Sequence, residues 1–265
     1  MVTKDKLSNI FHINDDKVNY EKIFDAKFEK IKVKNKNYLF INKRTLEMLA
    51  ERAFFEISHY LRPGHLKKLQ NILKDSDASD NDKYVATTLL KNANVAAGGI
   101  LPMCQDTGTA IVLGKKGNSI LTDGKDIDSL SNGILKCFKK NNLRFSQMSA
   151  TSMYEEINTK NNLPAQIEIM NEGNSNEYKF YFIAKGGGSA NKTFFFQATP
   201  SLLKNKNLEE YLIKRISAIG TSACPPYHLA IVIGGLSAEM NLKTLKLASC
   251  HFLDTLPKKG SKIGK

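Results

Sequence analysis

The sequence predicts a protein of the α/β (α+β) class, in which mixed β-sheet elements are flanked by helices. Apolar residues recur at steps of three and four in several segments, and short β-prone runs lie between those segments. The 265 residues are 42% hydrophobic and 25% charged, which is typical of a globular protein with a buried core. No apolar run reaches about 18 residues, so no membrane-spanning helix is predicted.

The first half of the chain is predicted to be mainly helical. An irregular N-terminal lead over residues 1–43 contains one or two edge strands, one of them near Tyr38. Helices follow over 44–61, 65–74, about 80–97 and 127–140, and a strand over 110–113. Pro63-Gly64 is expected to end the first helix, and Ser79 and Asp82 have the spacing of a capping box that opens the third. Turns are expected at Gly114 and Gly117.

The second half is predicted to be richer in strands. Residues 166–170 and 177–184 flank a polar stretch and predict a β-hairpin. Further strands are expected at 193–197 and 229–233, the latter buried, and helices at 208–219 and 239–253. Residues 44–256 are thus predicted to form the main domain, followed by a linker or truncated end over 257–265.

The charge balance predicts an anionic partner. There are 39 Lys+Arg against 26 Asp+Glu, a net charge of +13. The basic residues are spread along the chain without an Arg-rich block or interleaved aromatic residues, so a nucleic-acid partner is not expected. The net positive charge is compatible with small carboxylates or phosphates as partners. The alternative is that it reflects only a lysine-rich, solvated surface.

The four cysteines are far apart, and none forms a CxxC pair. The first residues contain acids and lack the apolar core of a secretory signal. A reducing compartment is therefore predicted, the cytoplasm first and the mitochondrial matrix as the alternative. In such a compartment cysteines serve as ligands, nucleophiles or core residues rather than as disulfides.

Three segments hold more polar residues and glycine than a core requires. In the first, over 101–109, Cys104, Gln105 and Asp106 stand consecutively ahead of a predicted strand, although a core cysteine in a surface turn is the alternative. In the second, over 185–192, Gly187 is the middle of three glycines flanked by lysines. These glycines could turn N–H groups toward an anion or simply form a long hairpin turn.

The third segment, over 220–228, places two prolines directly after Cys224. Consecutive prolines fix the backbone, which suits a rigidly aimed ligand. Cys224 and His228 have a spacing that zinc could use, but no second pair supports zinc, and a structural histidine is the simpler interpretation. Together the three segments could form one anion site.

Similarity to a known family extends through most of the chain. The sequence closely resembles the class I, iron–sulfur-dependent fumarate hydratases, and more broadly the fumarase and tartrate dehydratase hydro-lyases. The segments that carry the resemblance are 61–75, 78–86, LPMCQDTGTAIVLGKKG (101–117), NLRFSQ (142–147), NLPAQI (162–167), 177–193, TSACPPYHLAIVIGG (221–235) and 237–249.

The resemblance implies a lyase that adds water to fumarate, a step of the tricarboxylic acid cycle, at a [4Fe–4S] cluster with one open iron. It further implies roles for six residues of this chain. Cys104 and Cys224 match cluster ligands, Asp106 an active-site acid, Gln105 and Arg144 substrate contacts, and Gly187 a backbone contact in the pocket.

One departure from the family pattern concerns the third cluster cysteine. The resemblance places it beyond Lys265, while Cys137 and Cys250 match no ligand position. The chain is therefore expected to be the N-terminal part of a longer enzyme, or one subunit of a split one, that completes its site with a C-terminal domain or partner subunit and forms a homodimer. The alternatives are a tartrate dehydratase-like subunit and a non-catalytic domain lacking the cluster.

Overall fold

The computed structural model describes residues 22–255, apart from 27, 174, 191, 205 and 206. The predicted tail at 257–265 and the first 21 residues of the predicted N-terminal lead lie outside these residues. The described residues form two compact units, divided between Ala184 and Lys185. The wider domain predicted over 44–256 remains a prediction.

The first unit combines helices with mixed sheets, which confirms the predicted fold class. In chain order its elements are β1 (Glu29–Val33), β2 (Lys36–Ile41), α1 (Lys43–His59), α2 (Pro63–Ile72), α3 (Asp80–Ala96), β3 (Thr109–Gly117), β4 (Ile120–Thr122), α4 (Asp126–Lys140), β5 (Met148–Ala150), β6 (Glu156–Asn158), β7 (Gln166–Glu172) and β8 (Tyr178–Lys185).

Side-chain caps fix where α1 and α3 begin. The Asn42 side chain accepts a hydrogen bond from the Thr45 N–H at the start of α1, and the predicted capping box of Ser79 and Asp82 opens α3. Pro63 does not end α1, which already stops at His59. It begins α2 instead, where the missing N–H of proline costs no helical hydrogen bond.

The predicted hairpin of 166–170 with 177–184 is wrong, although both strands exist. The sheet order is β7-β3-β8, and β3 lies in the middle, parallel to β7. The turn predicted at Gly114 is also wrong, because β3 continues to Gly117, but the turn predicted at Gly117 is found directly after it, at Asn118 and Ser119. A Cβ at Gly117 would stand 2.3 Å from the Ser175 carbonyl oxygen, so glycine lets the β7–β8 connection lie against the end of β3.

Two smaller sheets complete the first unit. One has the order β1-β2-β4, with β1 antiparallel to β2 and β2 parallel to β4. In the other, β5 pairs antiparallel with β6. β1 and β2 lie within the segment for which one or two edge strands are predicted.

The core of the first unit lies between α1, α4 and β3. Buried side chains of these elements form one cluster, which includes Leu46, Phe54, Val112, Ile134 and Phe138. Leu143 belongs to the same cluster, and Phe145 packs against it. The chain after α4 is therefore anchored in the core on both sides of Arg144.

The second unit contains a helical turn, α5 (Gly187–Ala190), and two longer helices, α6 (Asn207–Ser217) and α7 (Ala238–Ser249). Short 3-10 helices cover Pro200–Leu203 and Phe252–Thr255. The predicted helices at 208–219 and 239–253 are confirmed, although the second ends earlier. None of the helices in the described part of the chain is long and apolar enough to cross a membrane.

The strands predicted at 193–197 and 229–233 are wrong. Neither segment belongs to a strand, and Leu229, Ile231 and Ile233 are each about half exposed rather than buried. A short apolar run such as 229–233 is typical of a buried strand, but a strand also needs a hydrogen-bonding neighbour. Within the described residues, neither segment pairs with one.

Candidate active site

The loop that carries Cys104 connects α3 to β3 and is fixed by polar contacts. The Met103 N–H donates to the Ser58 carbonyl at 2.9 Å, and the Met103 carbonyl accepts from Asn92 Nδ2 at 2.7 Å. The Asn142 side chain donates to the Ile100 carbonyl at 2.9 Å. Cys104 therefore follows a residue whose backbone is held on both sides.

Burial increases along this loop toward β3. Cys104 and Gln105 are exposed, Asp106 is half-buried, and Thr107 and Gly108 are buried. The loop thus presents the thiol and the amide to solvent while its end is anchored in the core.

The segment after α4 approaches the same loop. Arg144 has an exposed side chain between the core residues Leu143 and Phe145. Its carbonyl oxygen accepts two hydrogen bonds, one from Thr107 Oγ1 at 2.5 Å and one from Asn162 Nδ2 at 2.8 Å. The predicted residue Arg144 is therefore attached through its backbone to the residue that follows Asp106.

Ser146 makes the second link between these segments. Its Oγ donates to Asp106 Oδ1 at 3.1 Å and accepts from the Gly108 N–H at 3.3 Å. The structure thus brings Asp106 and Arg144 onto two directly bonded segments. A carboxylate and a guanidinium in this arrangement can handle a proton and bind an anionic substrate.

Glycines shape the start of the second unit. The glycines of the segment 185–192 do not form a long hairpin turn: the helical turn α5 lies here, and the Ala190 N–H donates to the Gly186 carbonyl at 2.9 Å. Lys185 Nζ donates to Thr193 Oγ1 at 2.8 Å, and burial lowers the pKa of Lys185. Gly187, the predicted backbone contact, is exposed as the first residue of α5.

The loop that carries Cys224 packs beside these glycines. A Cβ at Gly188 would stand 3.3 Å from the Ser222 carbonyl oxygen. Tyr227 closes the loop, because its hydroxyl donates to the Gly220 carbonyl at 2.7 Å and accepts from the Ala223 N–H at 3.3 Å. Cys224 itself is exposed, with a φ of 58° in the left-handed region.

The four cysteines differ in their fitness as iron ligands, because the thiolate is the ligand form. Cys104 and Cys224 are exposed, Cys250 is half-buried, and Cys137 is buried. Burial raises the pKa of Cys137 to about 12, which makes it a poor ligand. The donor chemistry therefore fits the two predicted ligands.

Cys104 lies in the first unit and Cys224 in the second. Within the described residues, no group of three His, Cys, Asp or Glu side chains is placed to hold a metal ion.

Sequence reasoning missed Thr107, Ser146 and Asn162 as contributors to this site. All three lie in segments that carry the family resemblance, but short polar residues in loops usually serve as turn residues. Nothing in the spacing of the sequence signals that Thr107 and Ser146 join the Asp106 loop to the Arg144 segment, or that Asn162 holds that segment.

Comparisons with known proteins identify the family. Residues 47–263 match the family model described as Fumarate hydratase (Fumerase). Fumarate hydratase 2 of Leishmania major is 51% identical over 237 residues, which cover 89% of this chain and 42% of that protein. The anaerobic class I fumarate hydratase of Escherichia coli K12 is 51% identical over 224 residues, covering 84% of this chain and 41% of that protein.

A more distant relative is named as a tartrate dehydratase subunit. The α subunit of L(+)-tartrate dehydratase from Escherichia coli UTI89 is 23% identical over 182 residues, covering 67% of this chain and 56% of that protein. The chain spans about two fifths of the length of the fumarate hydratases it matches. The family match over most of the chain shows that it belongs to the fumarate hydratase (Fumerase) family.

Proposed function

We propose that the protein containing this chain is a fumarate hydratase, a hydro-lyase that interconverts fumarate and malate. The 51% identity to a fumarate hydratase over 89% of the chain carries this proposal. The tartrate dehydratase subunit is only 23% identical, which makes tartrate the second candidate substrate.

Arg144 and Gln105 bind the substrate in this proposal. Fumarate and malate are dianions, and a guanidinium can hold a carboxylate through two parallel hydrogen bonds. Both side chains are exposed, and the bonds to the Arg144 carbonyl fix the backbone from which its side chain projects. Gly187 adds a backbone contact, and the net charge of +13 attracts the dianion.

In this proposal Asp106 takes part in a proton transfer. Removing water from malate requires that a proton leaves carbon and that the departing hydroxyl group is protonated. We propose that Asp106 protonates the departing hydroxyl group, or orients the group that does so. Its Oδ1 accepts the hydrogen bond from Ser146, which fixes the direction of the carboxylate.

Cys104 and Cys224 would hold a [4Fe–4S] cluster, with a third cysteine supplied from beyond Lys265. When bound, such a cluster supplies an iron with an open position that acts as a Lewis acid. Both thiols lie on loops whose backbones are already hydrogen-bonded, so binding requires little ordering of either loop.

The partners and compartment follow the same proposal. A C-terminal domain or partner subunit completes the site, and the protein forms a homodimer without nucleic acid or membrane partners. The cytoplasm is the proposed compartment, with the mitochondrial matrix as the alternative. One relative from Leishmania major, 50% identical, is named as a mitochondrial fumarate hydratase.

A substrate comparison tests this function. The full-length protein is reconstituted anaerobically with iron and sulfide, and turnover is measured with fumarate, L-malate and L-tartrate. We expect turnover of fumarate and malate well above that of tartrate. Preference for tartrate supports the second candidate, and cluster loading without turnover of any of the three supports a non-catalytic domain.

A further inference from the structure

One buried amide holds the segment that carries Arg144 and Ser146. Asn162 has no solvent exposure and is among the largest fully buried side chains of the described chain. Its φ of 53° lies in the left-handed region, which asparagine tolerates better than most residues. A buried polar side chain in this backbone conformation calls for a specific reason.

The Asn162 side chain binds both ends of the segment 144–147. Its Nδ2 donates to the Arg144 carbonyl at 2.8 Å, and its Oδ1 accepts from the Gln147 N–H at 2.9 Å. One planar amide thus replaces the donor and acceptor that a neighbouring strand would offer. The segment, which belongs to no strand, is held by this side chain together with Asn158, whose Nδ2 donates to the Phe145 carbonyl at 2.8 Å.

Ser146 lies inside the segment that Asn162 holds. Its Oγ bonds to Asp106 Oδ1 and to the Gly108 N–H, as described above. A displacement of the segment would therefore move Ser146 relative to Asp106 and change the direction from which Arg144 projects.

We propose that Asn162 is a positioning residue, which holds Ser146 against Asp106 and orients Arg144 toward the substrate. The assignment of roles to Asp106 and Arg144 rests on the proposed function. The connection itself, from Asn162 through Ser146 to the loop of Asp106, rests on the hydrogen bonds alone.

The test uses variants of the full-length protein. Asn162→Gly removes both hydrogen bonds and keeps a residue suited to positive φ. Asn161→Ala is the matched control, because Asn161 lies in the same turn and bonds the Leu163 N–H rather than the segment 144–147. Ser146→Ala interrupts the connection at its middle, and Ser146→Thr restores the hydroxyl.

The first readout is hydrogen exchange resolved at single amides, which needs neither cluster nor activity. Asn162→Gly should speed exchange of the Gln147 amide and, through Ser146, of the Gly108 amide by about tenfold. Asn161→Ala should leave both rates unchanged. Unchanged exchange at Gly108 in the Asn162→Gly variant would overturn the proposal, even if Gln147 exchanges faster.

The second readout is the separation of KM from kcat. Asn162→Gly should raise KM for malate about tenfold, through Arg144, and lower kcat, through Asp106. Ser146→Ala should lower mainly kcat, and Ser146→Thr should recover it. A loss that Ser146→Thr does not recover would contradict the connection. If the parent protein turns over none of the substrates, the proposed function fails, and the exchange rates still decide the role of Asn162.

Discussion

Thr107 and Arg144 are 37 residues apart in the sequence and are joined by a 2.5 Å hydrogen bond from the Thr107 hydroxyl to the Arg144 carbonyl. Thr107→Val keeps the side-chain shape and removes the donor. We expect unfolding free energy to fall by about 1 kcal/mol, and KM for malate to rise about fivefold as the arginine backbone loosens. Thr107→Ser keeps the hydroxyl and should resemble the parent. Unchanged KM and stability in Thr107→Val would show that this bond positions nothing.

Gly133 lies on α4 against the backbone of α1. A Cβ there would stand 2.2 Å from the Glu47 carbonyl oxygen and 2.8 Å from Ala50 Cβ. Glycine to alanine in a helix normally stabilises by about 1 kcal/mol. Here we expect Gly133→Ala to destabilise by about 2 kcal/mol, because the helices must separate. Urea unfolding checks this prediction, with Asn132→Ala on the exposed side of α4 as the control, and a stabilised Gly133→Ala variant would contradict the packing.

Asp126, the first residue of α4, forms a polar cluster with side chains of β3 and β8. Its Oδ2 accepts from Lys116 Nζ and from the Tyr178 hydroxyl, each at 2.8 Å. Burial opposes ionisation of Asp126, but hydrogen bonds from Lys116, Thr122 and Tyr178 outweigh it and hold the pKa below its ordinary value of 3.8.

This pKa predicts how the stability contributed by Asp126 varies with pH. Because the pKa of Asp126 is lower in the folded protein than in the unfolded chain, ionised Asp126 stabilises the fold at pH values above the unfolded pKa. This stabilisation is lost as the pH falls through the folded pKa. We expect Asp126→Asn to cost about 2 kcal/mol at neutral pH, and the difference from the parent to shrink below about pH 4. Asp128→Asn, exposed on the same helical turn, should cost under about 1 kcal/mol. A pH-independent difference for Asp126→Asn would contradict the assignment.

The cysteines should differ in reactivity. In metal-free native protein, iodoacetamide should modify Cys104 and Cys224 and leave Cys137 unmodified, because Cys137 is buried and its pKa is raised to about 12. Mass spectrometry of digested protein measures the modification, and labelling in denaturant is the control. Modification of native Cys137 as fast as Cys104 would show that the core around it opens.

Helices and their caps could be predicted from the sequence more accurately than the pairing of β-strands. The helices of the first unit and the caps at Ser79 and Asp82 are predictable because they depend on residues within one or two turns. The hairpin failed because alternation and loop length do not reveal that β3 inserts between β7 and β8. The strand predicted from the apolar run at 229–233 failed for a related reason, since a strand depends on a neighbour that its own residues do not specify.

The residues of the candidate site likewise divide into those that the local sequence indicates and those that it does not. Cys104, Gln105 and Asp106 stand out because three polar residues precede an apolar strand. Ser146 and Asn162 could not be identified this way, because their role depends on contacts with segments 15 to 40 residues away. Such contacts follow from the fold rather than from the local sequence.

In the proposed function, Asp106 transfers a proton at an iron–sulfur site of a fumarate hydratase. The most direct measurement is kcat for malate dehydration by the reconstituted full-length Asp106→Asn variant, with cluster absorbance recorded on the same sample. We expect kcat to fall at least about a hundredfold with the cluster absorbance retained. Parent-like turnover in this variant would contradict this role of Asp106.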